Sequence, residues 1–589
     1  MEASERASLV SAARGDRPLD LLIHNTQLVN VYTREVYPAE IGIAGGFVVY
    51  SSAQPWTGPA PRQRFSADGR YAVPGLIDSH VHIESSMMSP DGFAAAVLPR
   101  GTTAVVTDPH EIGNVLGLRG VRYMLDATAA LPLRVYVQAP SCVPAVPGHE
   151  TPGAEFGANE VAEMLTWDRV IGVAEVMDYV GVVQQSERMR GILDAAWAQG
   201  TVISGHCPGL RGRDLAAYLV AGPASDHEAW AREEWREKLR LGMTAEIKVS
   251  SFSESMSAAA ELVREWGAVP PNLVFCTDDI WPEDLVRTGH LDNVVQQAIA
   301  SGFPAVDAVR AATLHNAQRH RLHELGAIAP GKRADILLVQ DLERFEVDDV
   351  LVNGHWVARR GQMIVELSPP PSALTTENTV RLPHPPRRED FALRARPGRS
   401  AERIRVMTLS HIKPRGMEIV ELNVRDGMVD WAEQQNLCLV AILERHGRTE
   451  NRGLSLVRGL GLREGAVAST VAHDSHNLLV AGRDVDDMVI AARALVDSGG
   501  GICSALGGTV SALLPLPIAG LMSPLSPEEI VPLMRRLNQA LGELGLPAEQ
   551  PLRDVLGLAL PVIPHYGLTD MGLIDVDRQV VLPIWADEG

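Results

Sequence analysis

Two histidines spaced as His80-Val81-His82 follow an apolar run, Tyr71-Ala72-Val73-Pro74-Gly75-Leu76-Ile77, that reads as a buried strand. Residues two apart on a strand face the same way, so both imidazoles would meet one spot just past the strand's end. That geometry suits a metal ion. Chance supplies some His-x-His among eighteen histidines, so the pair needs partners. Four more metal-competent side chains, Glu175, His206, His227 and Asp278, each stand at the end of a later apolar run. Four imidazoles and two carboxylates suit borderline divalent ions such as Zn, Mn or Fe(II), and the set could hold two ions with one carboxylate bridging. Two such ions hold a hydroxide between them and lower the pKa of water enough to supply a nucleophile at neutral pH. The remaining carboxylate can move protons.

The elements that must carry these groups are short β-type runs alternating with longer, helix-compatible stretches, the pattern of βαβ units and a parallel sheet. After the first run come Thr103–Thr107, Arg134–Val137, Val170–Ala174, Thr201–Ser204, a weaker run into Ser225-Asp226-His227, then Thr244–Ile247 and Leu273–Cys276. Eight runs in this length predict a (β/α)₈ barrel, whose reactive groups lie at the C-terminal ends of its strands. All six ligand candidates fall at such ends without adjustment, and that coincidence carries the reading.

At 589 residues the chain exceeds one core, so further domains are expected. Leu21–His24, Glu40–Ile43 and Phe47–Tyr50 read as small strands before the barrel, and Ala334–Val339 and Val350–Gly354 read the same way after it. The expected organisation is a flanking β-domain from 1–70 and 320–367, a barrel over 71–319, a linker over 368–400 marked by Pro369-Pro370-Pro371, and a C-terminal α/β domain over 401–589. In that last domain helices are expected over Asp486–Ser498 and Ser526–Leu544, the second opened by the capping box Ser526-Pro527-Glu528-Glu529.

A net charge of −20 without a basic face argues against nucleic acid and anionic membrane partners and favours a small neutral substrate. The first twenty residues lack an apolar signal core, and no stretch of roughly eighteen apolar residues occurs. Five scattered cysteines without Cys-x-x-Cys indicate neither a disulfide framework nor a cysteine zinc site, so a cytoplasmic location is expected.

The six residues resemble the ligand set of the amidohydrolase superfamily: His-x-His after the first strand, a bridging carboxylate after the fourth, His after the fifth and sixth, and Asp after the eighth. Many relatives bridge with a carboxylated lysine, but no lysine precedes Lys238 here, so Glu175 would bridge. His80-Val81-His82-Ile83-Glu84-Ser85-Ser86-Met87-Met88, Thr107-Asp108-Pro109-His110-Glu111-Ile112, Ala472-His473-Asp474-Ser475-His476-Asn477 and Leu514–Met522 are together similar to the bacterial adenine deaminases over nearly the whole chain.

The resemblance implies hydrolysis of adenine to hypoxanthine and ammonia by a hydroxide on two divalent ions, Mn(II) or Fe(II) before Zn(II), in a homo-oligomer, with a dimer favoured. Asp278 becomes the general base and acid, while Glu84 and Glu246 are candidates to protonate or orient a ring nitrogen. Ser85, His110 and Glu111 are candidates for substrate contact, with His110 and Glu111 equally able to support the ligands by hydrogen bonding. The alternatives are a cyclic-amide hydrolase of the hydantoinase or dihydroorotase kind, whose usual lysine is missing, and a non-catalytic purine- or metal-binding barrel. His473 and His476 look like a metal pair, but such a cluster more often orders a loop. Gly459-Leu460-Gly461 and Gly499-Gly500-Gly501 complete no nucleotide-binding motif and read as turns.

Overall fold

The structure, a computed structural model, describes every residue except 1, 368–376, 410–414, 548–549, 563–564 and 588–589. Its centre is an eight-stranded parallel barrel: β1 (Leu76–Val81), β2 (Thr102–Thr107), β3 (Arg134–Ala139), β4 (Val170–Val176), β5 (Val202–Gly205), β6 (Ser225–Asp226), β7 (Thr244–Lys248) and β8 (Leu273–Cys276). β1 to β5 form one continuous ladder and β6 to β8 another. The two ladders meet at both seams. Ala224 N–H donates to Ile203 O at 3.0 Å, and at the other seam Asp278 N–H donates to His80 O at 3.0 Å while His82 N–H donates to Asp278 O at 3.3 Å. That closing seam lies within the metal-competent residues themselves, so closing the barrel and assembling the site are one event.

The first apolar run is two strands rather than one. Tyr71–Pro74 belongs to the flanking sheet, pairing antiparallel with Ile336–Val339, and the chain enters β1 only after Gly75. Glycine is required at this crossing, because a Cβ there would lie 2.2 Å from Thr103 Oγ1. The flanking sheet draws strands from Leu21–Asn30, Glu35–Ala44, Phe47–Ser52 and Gln63–Ser66 on one side of the barrel sequence, and from Ile336–Val339, Val347–Val352, His355–Arg359 and Gln362–Met363 on the other. The antiparallel pairing of Ile336 with Pro74 joins the two sides.

Pro369-Pro370-Pro371 lies outside the described residues. The described remainder of the expected linker does not run free, since Phe391 and Leu393 are buried among Ile404, Leu439 and Met488. A second nine-stranded sheet follows, with helices Val485–Ser498 and Pro527–Glu543 against it and a small three-stranded sheet over Tyr566–Leu582. Both helices begin as their caps dictate: Asp484 accepts from Asp486 N–H and Asp487 N–H, and Glu529 accepts from Ser526 N–H at 2.9 Å.

The C-terminal domain is packed onto the barrel. One apolar core runs from Leu76 and Val105 in the barrel to Leu514, Leu521 and Met522 beyond it. Met87 O accepts from Ser523 N–H at 2.8 Å, and Ser523 O accepts from Ser89 N–H at 2.9 Å, so the loop after β1 is stitched to the Leu514–Met522 segment. Met87 and Met88 fill the gap between them, both fully buried.

Candidate metal centre

β1, β4, β5, β6 and β8 deliver His80, His82, Glu175, His206, His227 and Asp278 to one buried volume. Glu175 is at its middle. Its Oε1 lies 3.5 Å from His82 Nε2 and 3.9 Å from His80 Nε2, and its Oε2 lies 2.7 Å from His206 Nδ1 and 3.3 Å from His227 Nε2. Asp278 Oδ1 completes the first group, 3.5 Å from His80 Nε2 and 3.3 Å from His82 Nε2. One carboxylate thus faces two imidazole groups, one with each oxygen.

The separations distinguish ligation from simple hydrogen bonding. Two ligands each ~2.1 Å from a shared ion at a tetrahedral angle sit ~3.4 Å apart, longer than a good N–H···O bond. The His80, His82 and Asp278 distances cluster at that longer value. His80 Nε2 is buried and makes no hydrogen bond. His82 Nδ1 faces the Asp108 carbonyl oxygen at 3.0 Å, which fixes its proton on Nδ1 and leaves the Nε2 lone pair toward Glu175 and Asp278. The donor set suits divalent ions of the borderline class, whereas His206 Nδ1 and Glu175 Oε2, 2.7 Å apart, stand at hydrogen-bond distance.

Asp278 sits at φ 59°, a left-handed conformation that a non-glycine residue holds only when its surroundings enforce it. Its other oxygen, Oδ2, accepts from Lys248 Nζ at 2.6 Å, and Lys248 is also paired with Glu228. Burial alone would raise the Asp278 and Glu175 carboxyls. Lys248 with the β1 histidines outweighs it for Asp278, and His206 with His227 outweighs it for Glu175, so both are held well below the usual carboxylate range.

The remaining candidates divide. His110 joins the centre, with Nδ1 3.2 Å from Asp108 Oδ2 and 3.7 Å from Glu175 Oε1. Glu246, expected at the rim, instead points into the barrel interior, accepting from Ser79 Oγ at 2.8 Å beside Arg319. The cause is strand length: β7 runs one residue past Ile247, so the last inward position falls to Lys248. Glu84, Ser85 and Glu111 form a separate buried group behind the cavity wall. Ser85 Oγ donates to Glu111 Oε1 at 2.8 Å, Glu84 Oε1 accepts from Ile112 N–H at 3.3 Å, and burial followed by the Glu111 charge pushes Glu84 up to about 8. Glu111 in turn faces His473 Nδ1 at 3.7 Å and His476 Nε2 at 3.9 Å.

A cavity opens over the centre, with His82, His110, Glu175, His206, His227 and Asp278 on its floor. Met177, Phe252, Leu560 and Val562 give it apolar walls. Lys248, Glu228, His473 and Asp474 also line it and were not singled out for this place from the sequence. Glu228 and Lys248 carried a signal, since one adjoins His227 and the other continues the inward face of β7. The arrival of His473 and Asp474, 195 and 196 residues beyond Asp278, carried none.

Residues 71–357 match the amidohydrolase family, and residues 415–580 match the adenine deaminase C-terminal domain. The adenine deaminase of Oleidesulfovibrio alaskensis is 40% identical over 592 residues, covering 99% of this chain and 100% of that protein. The adenine deaminase of Moorella thermoacetica is 40% identical over 96% of each chain. Among solved structures, a β-aspartyl dipeptidase from Fervidobacterium islandicum AW-1 is 16% identical, covering 59% of this chain and 99% of that one with a TM-score of 0.44. Identity of this order along essentially the whole length places the chain in the adenine deaminase family of the amidohydrolases.

Proposed function

We propose that this chain hydrolyses adenine to hypoxanthine and ammonia, as its family membership implies, at the cluster centred on Glu175. The observation that carries the reading is the division of the Glu175 carboxylate between two imidazole groups. His80, His82, Asp278 and Glu175 Oε1 would hold one divalent ion, and His206 and His227, which face Glu175 Oε2, a second. Such a pair supplies activated water at neutral pH.

The chain's own groups account for the remaining steps. Asp278, ionised and buried, accepts the proton of the attacking water through an oxygen that faces His80 and His82. Oxygen adds to C6 of the purine while Asp278 passes that proton to N1 of the ring; Asp278 then takes the remaining hydroxyl proton to the exocyclic nitrogen, so that the C6–N bond breaks, C6=O forms and ammonia leaves. Lys248 holds Asp278 Oδ2 and thereby aims Oδ1. Met177, Phe252, Leu560 and Val562 exclude bulk water and keep these charge interactions strong.

Nitrogen and oxygen donors without thiolate suit Mn(II), Fe(II) and Zn(II) alike, and Mn(II) or Fe(II) is placed before Zn(II) on the family resemblance. Five buried cysteines, none in a disulfide, support the cytoplasm as the site of action. The proposed assembly is a homodimer, on the family resemblance. The test is ammonia release from adenine, with ring opening of hydantoin to its ureido acid followed in parallel, by protein reconstituted with Mn(II) or Fe(II). Ammonia from adenine alone is expected; metal-loaded protein inert toward adenine would refute the reading, and turnover of hydantoin would favour the cyclic-amide alternative.

A further inference from the structure

The segment Ala472-His473-Asp474-Ser475-His476-Asn477 is the C-terminal domain's direct entry into the cavity, and its residues divide into two sets. Ser475, His476 and Asn477 anchor it. Asn477 Nδ2 donates to Thr151 O at 3.0 Å, Asn477 Oδ1 accepts from Arg445 N–H at 3.1 Å, and the Ser475 carbonyl oxygen lies 2.8 Å from His446 Nε2. The fully buried Arg445 guanidinium donates to the His476 carbonyl and, at 3.0 Å, to Ala519 O. His473 and Asp474 face the cavity. A rigid loop therefore presents two side chains to the site, which is the requirement for a preorganised contact.

Asp474 is the one with unspent bonding capacity. Its Oδ1 lies 3.6 Å from His110 Nε2, and His110 Nδ1 lies 3.7 Å from Glu175 Oε1, so Asp474 stands one imidazole away from the metal-facing carboxylate. Its Oδ2 is buried without a hydrogen-bond partner. Of the other polar groups that the C-terminal domain offers to the cavity, Arg415 donates to Tyr566 O at 2.9 Å and to the Gly557 carbonyl, Arg553 donates to Gln550 and Asp554, and the His473 ring faces Glu111 at 3.7 Å.

An ionised carboxylate can only accept hydrogen bonds, and adenine offers donors at two places. One is the exocyclic amine, which must lie at the metal centre to be lost. The other is the single N–H of the five-membered ring. We infer that Asp474 is a substrate-contacting residue that accepts this ring N–H, making the C-terminal domain a determinant of selectivity for the free base over purines substituted at N9. A substituent at N9 removes the donor and sets carbon against a buried carboxylate, a mismatch that a site built for hydrogen bonding rejects strongly.

The inference rests on the adenine-deaminating reading and can fail separately from it. If wild-type protein releases no ammonia from adenine, the reading has failed; the Asp474 assignment is judged on the ratio of kcat/KM for adenine to that for 9-methyladenine. Asp474→Asn keeps the side chain's volume, and Asp474→Ala removes it. Both are expected to raise KM for adenine by roughly 10- to 100-fold, the loss of one charge-assisted hydrogen bond, and to narrow the ratio by a similar factor. A merely structural role would lower both rates together. Thermal midpoints and metal content separate misfolding from lost contact. A ratio equal to wild type in a folded, metal-loaded Asp474→Asn protein overturns the proposal.

Discussion

Two buried clusters of histidine and carboxylate lie close together here, one around Glu175 and one around Glu111, and their residue types alone do not separate them. Ring-nitrogen accounting does. In the first cluster His82 spends Nδ1 on the Asp108 carbonyl and turns a lone pair on Nε2 toward Glu175 and Asp278. In the second, His476 Nδ1 accepts from Ala472 N–H at 3.2 Å, so the neutral ring carries its proton on Nε2, facing Glu111 as a donor. Charge differs as well. Glu175 is held ionised by His206 and His227, whereas burial raises Glu111. The first cluster offers lone pairs to a cation; in the second the His476 Nε2 proton points at Glu111 Oε2 from 3.9 Å, too far for a hydrogen bond, and both atoms are buried without a partner.

The sharpest way to break that contrast is to delete members of each cluster in parallel. Asp278→Asn, removing a ligand and the proton carrier together, is expected to lower kcat by roughly 10²–10⁴-fold. Glu175→Gln should lower it by roughly 10²–10³-fold, as for loss of one preorganised electrostatic partner, and should reduce bound metal measured by elemental analysis. His476→Ala should leave metal content unchanged and cost about 1–2 kcal/mol of stability in denaturant unfolding. Metal loss in the His476 variant, or full metal in Glu175→Gln, would reverse the assignment.

Lys248→Met probes the support beneath Asp278. It is expected to reduce kcat by roughly 10- to 100-fold, the usual range for removing a residue that orients a ligand. Unchanged kinetics would show that the backbone of Asp278 alone suffices.

Stability should also depend on pH. Burial and then the Asp474 charge push Glu150 up to about 8, and its Oε2 has no hydrogen-bond partner. A carboxyl whose folded value lies above its unfolded 4.5 stabilises the fold fully below pH 4.5, and that contribution is lost as pH rises toward 8. Glu150→Gln should therefore gain stability over wild type across this window by at most about 1.4 kcal/mol per pH unit. A difference independent of pH would contradict the burial argument.

Much of the barrel was legible because parallel strands covered on both faces read as unbroken apolar runs, and the candidate ligands stand where those runs stop. Leu273–Cys276 coincides with β8. Errors arose where pairing partner rather than composition sets the boundary. Nothing within Tyr71–Ile77 shows that its first half pairs with Ile336–Val339 and its second with β2. At β7 a single extra residue moved the rim position from Glu246 to Lys248. His473 and Asp474 reach the cavity through packing of one domain on another, which no local period encodes.

The most direct measurement is anomalous diffraction from crystals of Mn(II)-loaded protein. Two peaks are expected on either side of the Glu175 carboxylate, about 3.5–4 Å apart, with none beside His476. A single peak, or one centred among Glu111, His473 and His476, would contradict the assignment of the centre.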